Sequence, residues 1–237
     1  MHTLSNSFAA ALELILSADP GLLEIVLLSL RVSLTAVAIA ALIGLPLGAA
    51  VALLRFPGRG AAVVLLNAFM GLPPVVVGLV VYLLLSRSGP LGPLGWLFTP
   101  AGMIMAQTVL VLPIVAALAR QVMEDLWAEY GEQLRSLGAG PVRAVPTLLW
   151  DGRFSLTTAV LAGFGRAAAE VGAVIIVGGN IAGYTRTVTT AIALETSKGD
   201  LALALGLGII LLALVAAINA AAYLTAEAAR RRAGGAP

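Results

Sequence analysis

Long apolar runs, separated by short stretches that hold most of the charge, set the pattern of this chain. Residues 22–54, 62–86, 101–122, 154–178 and 201–225 each supply the roughly 20 helical residues that cross a hydrocarbon core of about 30 Å. The pattern predicts an all-α, polytopic helical membrane protein of about five transmembrane helices. The first run exceeds one straight crossing, so it is expected to tilt or to begin in the interface.

Residues 123–153 interrupt the pattern with five of the twelve acidic residues: Glu124, Asp125, Glu129, Glu132 and Asp151. Within them, 124–137 reads as helix, Gly138, Ala139, Gly140 and Pro141 break the run, and 142–150 forms a second short helix despite Pro146. This predicts a cytoplasmic helix-turn-helix on the inner membrane surface. At the start of the chain, Phe8, Leu12, Ile15 and Leu16 fall near helical spacing, and Asp19-Pro20-Gly21 ends that run. Residues 1–21 are therefore expected to form an interfacial segment, with a sixth membrane contact as the alternative. The absence of a basic n-region, and Glu13 inside the apolar stretch, argue against a cleaved signal peptide.

Composition sharpens the class. The chain is 60% hydrophobic and only 11% charged, against about 25% charged in an ordinary soluble domain. Mean hydropathy is +1.02. There is no cysteine, which excludes disulfides, thiolate metal sites and cysteine nucleophiles, and His2 is the sole histidine. An intramembrane hydrolase would need a nucleophile with a histidine or paired acids at membrane depth, so no catalytic residue, metal or cofactor is expected.

The basic residues give the orientation. Arg55, Arg59, Arg120, Arg135, Arg143, Arg153 and the tail Arg230, Arg231 and Arg232 fall on one side; Arg87, Arg186 and Lys198 fall on the other. The positive-inside rule then places the N-terminus outside and the C-terminus in the cytoplasm. The domain reading is an interfacial segment at 1–21, a transmembrane domain at 22–225 and a basic cytoplasmic tail at 226–237, too short for a metal-sensing domain. Membrane lipid is the expected surround, with no nucleic-acid partner.

Two charges lie deep in the fourth span. Arg166 and Glu170 are four apart and can pair on one helix face, which makes them pathway candidates; self-neutralisation that locks helix packing is the competing reading. Beyond them, Gly178, Gly179, Asn180, Gly183, Tyr184, Thr185 and Arg186 offer backbone N–H groups, hydroxyls and a cation that could contact an anion, or else an ordinary turn with local caps. Arg31 is expected to snorkel to the outer interface. Pro46, Pro73, Pro74 and Pro113 permit kinks, and Gly44 with Gly48 forms a small-xxx-small packing pattern. The only lysine, Lys198, stands between Ser197 and Gly199, so the chain carries no P-loop of its own.

The run from Glu132 through Arg135 to Gly138, Ala139 and Gly140 resembles the cytoplasmic coupling loop of ABC-importer permeases. Gln133 and Leu134 stand where that loop has two alanines. Gly71, Pro73, Pro74 and Gly78, then Gln107, Thr108 and Pro113, and above all Gly165, Arg166, Glu170, Gly178, Gly179, Asn180, Tyr184 and Arg186 resemble the molybdate, tungstate and sulfate branch of those permeases. Residues 189–199 are similar to the tungstate type, and the likeness covers nearly everything from Glu24 onward.

The resemblance implies an ABC importer type I-like transmembrane domain in a bacterial or archaeal cytoplasmic (inner) membrane. It implies a second copy of the chain in a homodimer, two separate ABC ATPase subunits inside and an extracytoplasmic oxyanion-binding protein outside. The coupling set would be Glu132, Arg135, Gly138, Ala139 and Gly140, and the pathway candidates Arg166, Glu170, Asn180, Thr185 and Arg186. Tungstate is the implied cargo, with molybdate or sulfate as alternatives and an ion-coupled secondary anion carrier as the rival class.

Overall fold

A computed structural model describes residues 20–234, and the expected interfacial segment at 1–21 falls almost wholly outside them. Among the described residues there are nine α-helices and no strand. They are α1 (Pro20–Leu53), α2 (Arg59–Phe69), α3 (Pro74–Leu85), α4 (Pro100–Ser136), α5 (Pro141–Asp151), α6 (Arg153–Ala168), α7 (Gly172–Gly178), α8 (Val188–Lys198) and α9 (Leu201–Gly234), with a single 3-10 turn at Gly92–Leu94.

Three helices are long and apolar enough to cross a membrane unbroken: α1, α4 and, over Leu201–Ala229, α9. Two further apolar helix pairs are bent, α2 with α3 at 104° and α6 with α7 at 59°, and they make up to five crossings when each pair counts as one span. The chemistry of the first break is plain in the chain. Pro73 and Pro74 carry no N–H, and Gly71 precedes them, so the helix from Arg59 cannot continue through them.

The central packing pair is α1 against α4. A methyl group at Gly48 would lie 2.5 Å from the Ala116 carbonyl oxygen and 2.8 Å from Ala119 Cβ, so the two backbones touch where the small-residue pattern predicts close approach. Around this pair, Val37, Ala40, Val111, Val115, Phe164 and Ala167 form a buried cluster that brings in α6. A second cluster of Val77, Val81, Leu85, Ala106, Leu110, Ala173 and Val177 joins α3 and α7 to α4.

One element differs from the sequence expectation and a second lies outside the five apolar runs. The third span does not stop near Val122: α4 runs on to Ser136 as one helix of 37 residues, about 55 Å, well beyond a hydrocarbon core of about 30 Å. No proline interrupts it between Pro113 and Ser136, and it ends only at Gly138, where φ is +80°. The second element, α8, starts with Thr187 and Thr190 each accepting from the other's backbone N–H, a reciprocal cap. The hydroxyl of Ser29 also accepts from Val188 N at 2.8 Å, tying α8 to α1.

Candidate translocation site

The two breaks in the bent pairs meet. A methyl group at Gly78 of α3 would lie 2.8 Å from Ala173 Cα of α7, and Gly172 faces Val75 and Pro74 across the same contact. Arg166, near the end of α6, sits between them. Its Nη2 donates to the Leu72 carbonyl at 3.5 Å and lies 3.7 Å from the Glu170 carboxylate. The side chain of Glu170 is 2% exposed and that of Arg166 is 34% exposed, so the carboxylate is anchored and the guanidinium reaches open space.

Glu170 holds the second break together from several sides. Its Oε1 accepts from Ala173 N at 2.9 Å, capping the start of α7, and its backbone carbonyl accepts from the Thr189 hydroxyl at 2.8 Å. One turn earlier, the Ala167 carbonyl accepts from Gln107 Nε2 of α4 at 3.0 Å. The carbonyls that the break removes from the helix ladder are thus bonded by side chains of α4 and α8, as backbone at membrane depth requires.

The loop after α7 is closed on itself. The N–H groups of Tyr184, Thr185 and Arg186 all point at the Ile181 carbonyl, at 3.0–3.2 Å. Thr185 is fully buried; its hydroxyl donates to the Gly178 carbonyl at 2.6 Å and accepts from Ile181 N at 3.0 Å. Asn180 accepts from Arg186 Nε at 3.3 Å. The backbone N–H groups of Tyr184, Thr185 and Arg186 and the Thr185 hydroxyl are thus engaged within the loop, and a partly exposed cation stands at the break in Arg166. Arg31 lies exposed on α1 along a groove with Glu24 and Tyr184.

At the opposite end, α4 and α5 form a hairpin. Gly138 takes the left-handed conformation, and Ala139 N reaches back to the Leu134 carbonyl at 2.8 Å. Glu132, Arg135 and Gly140 are exposed, and Arg135 stacks over the Trp127 ring at 5.2 Å while donating to the Gly131 carbonyl. Leu137, Val142 and Trp150 are 82%, 68% and 71% exposed, a large apolar surface outside the spans. A groove beside them is lined by Tyr130, Gln133, Leu134, Thr147 and Asp151. The Glu129 carboxylate, by hydrogen bond and by charge, pushes the Tyr130 phenol beside that groove above its ordinary range. Spacing alone did not identify Arg59, which reaches α4 through Glu124, although both residues are separately visible as charges at the ends of apolar runs.

A bundle of three straight and two broken apolar helices, with a buried carboxylate and a partly exposed arginine at the breaks, is that of a polytopic helical membrane protein. No family model matches the chain. It is 41% identical over 227 residues to the tungstate uptake system permease protein TupB of Peptoclostridium acidaminophilum, across 96% of this chain and 100% of that protein. It is 42% identical over 204 residues to a probable anion ABC transporter permease of Haloferax volcanii, across 84% and 88%. The molybdenum transport permease ModB of Escherichia coli is 30% identical over 191 residues, across 75% and 82%. The chain belongs to the anion ABC transporter permease family, in the branch that holds the tungstate, molybdate and sulfate permeases.

Proposed function

We propose that this chain is the membrane-spanning subunit of an ATP-driven importer of tungstate, with the α2–α3 and α6–α7 breaks lining the path. The cargo follows from the tungstate uptake permease that matches the chain over nearly its whole length. The observation that carries the path is the exposed, non-helical backbone around Gly71 and Pro73, bent by 104° inside an apolar segment. Lipid offers such backbone no partners, so it must face water or protein. A second copy of the chain, packed across this face, completes an aqueous path, and Arg166 supplies its cation.

The rest of the assembly follows from the same reading. The N-terminus lies outside and the C-terminus in the cytoplasm of a bacterial or archaeal cell. The α4–α5 hairpin, with Glu132, Arg135, Gly138, Ala139 and Gly140, meets a separate ATPase subunit, one for each copy. The chain performs no hydrolysis itself. ATP binding closes the ATPase pair and opens the path towards an oxyanion-loaded binding protein; hydrolysis returns the path inward. Asn180, Thr185 and Arg186 shape the outer mouth, and Arg166 with Glu170 marks its inner limit.

Uptake into proteoliposomes containing the permease, its ATPase and its binding protein tests this. Labelled tungstate should accumulate only with ATP and resist excess sulfate. Sulfate or molybdate accumulating in its place would reassign the cargo, and ATP-independent accumulation would contradict the importer reading.

A further inference from the structure

We infer that Glu124 is a positioning residue that ties the ATPase-facing helix α5 to the broken span, so that movement of the ATPase reaches the break at Leu72. The inference rests on the importer reading above. Its carboxylate holds two guanidiniums at once: Arg59 Nη2 lies 2.5 Å from Oε1, and Arg120, one turn earlier on α4, bonds Oε2. Arg59 is also the first residue of α2, and it donates from Nε to the Val51 carbonyl at 2.8 Å and from Nη2 to the Ala52 carbonyl at 3.3 Å. A single side chain therefore caps the last turn of α1, begins α2 and pairs with α4.

The position of this clasp gives it leverage. Ala144 and Leu148 of α5 pack against Ala49, Leu53 and Met123, which flank the bonded carbonyls and Glu124 itself. On the other side stands α2, which has no fully buried residue and packs on α4 with Ala62, Val63 and Leu66 half-buried along one helical stripe. The charge pair at its first residue fixes the start of α2 to α4, and its far end leads into the Gly71–Pro73 break that Arg166 touches. Displacement of α5 thus reaches α2 through Glu124 and Arg59. Loss of Glu124 would also leave Arg120, 9% exposed and already without an acceptor for Nε, with no counter-charge.

The test is the number of oxyanions moved per ATP hydrolysed by the complete complex in proteoliposomes. Glu124→Gln and Arg59→Gln should each lower that ratio about fivefold or more, the lower end of a coupling between sites, while the ATPase still co-purifies. Glu124→Asp should stay within about twofold of wild type, because the paired charge is kept. Gly48→Ala serves as the destabilised control. An unchanged ratio in Arg59→Gln overturns the inference, and so does an equal fall in the control at a matched loss of thermal stability. If Glu124→Gln fails to assemble, Arg59→Gln decides. Wild-type complex that takes up no oxyanion overturns the importer reading and this inference with it; normal wild-type uptake with unchanged variants overturns this inference alone.

Discussion

The Nη2 of Arg166 and the carbonyl of Leu72 lie 3.5 Å apart although 94 residues separate them, and this contact bridges the two broken spans. Both partners of the guanidinium are long, 3.5 Å to the carbonyl and 3.7 Å to Glu170, so it can turn towards an anion without giving up a tight bond. Arg166→Gln should lower tungstate uptake about ten- to hundredfold, the range of a charge-assisted hydrogen bond, a larger loss than is explained by the drop in thermal stability from removing the counter-charge of Glu170. Uptake and detergent melting of the same preparation check it.

Glu170 should behave in the opposite way. Its carboxylate caps Ala173 N inside the protein, so Glu170→Ala strands a buried donor and should cost about 1–3 kcal/mol of stability. Glu170→Gln keeps an acceptor there and should lose less. A lower melting midpoint for alanine than for glutamine is the expected order.

Close backbone packing gives a third expectation. Gly48→Ala places a methyl 2.5 Å from the Ala116 carbonyl and should destabilise by about 1–3 kcal/mol, whereas Gly60→Ala, with nothing within 4 Å, should be neutral or stabilising by about 1 kcal/mol. Thermal unfolding in detergent separates the two.

The exposed hairpin gives a fourth. Trp150→Ala removes a side chain that is 71% exposed, so the permease should fold as before. Its affinity for the ATPase should fall by about 2 kcal/mol, as for an aromatic anchor at an interface centre. Titrating purified ATPase against permease in nanodiscs measures this directly.

Much of this architecture was legible in the chain. Apolar run lengths match the three unbroken spans and the two bent pairs, and Pro73 and Pro74 mark one break. The helix over 124–137 and its stop at Gly138 were legible; its continuity with the span at 101–122 was not, because the charges from Glu124 onward report where the bilayer ends and not where a helix ends. The cap Thr187 with Thr190 was a readable signal for α8. Thr185 looked available because its hydroxyl is polar and near a turn; only the fold shows it consumed by Gly178 and Ile181. The link from Arg59 to Glu124 spans 65 residues, and no local spacing encodes it.

The central claim, a water-lined path at the paired breaks, can be tested on single cysteines because the natural chain has none. Leu72→Cys, at the break, and Leu83→Cys, on an exposed apolar face of α3, would be treated with a charged, membrane-impermeant thiol reagent in proteoliposomes of the full complex. The account predicts labelling at residue 72 that changes with the nucleotide state of the ATPase, and none at residue 83. Equal resistance of both positions in every nucleotide state would contradict it.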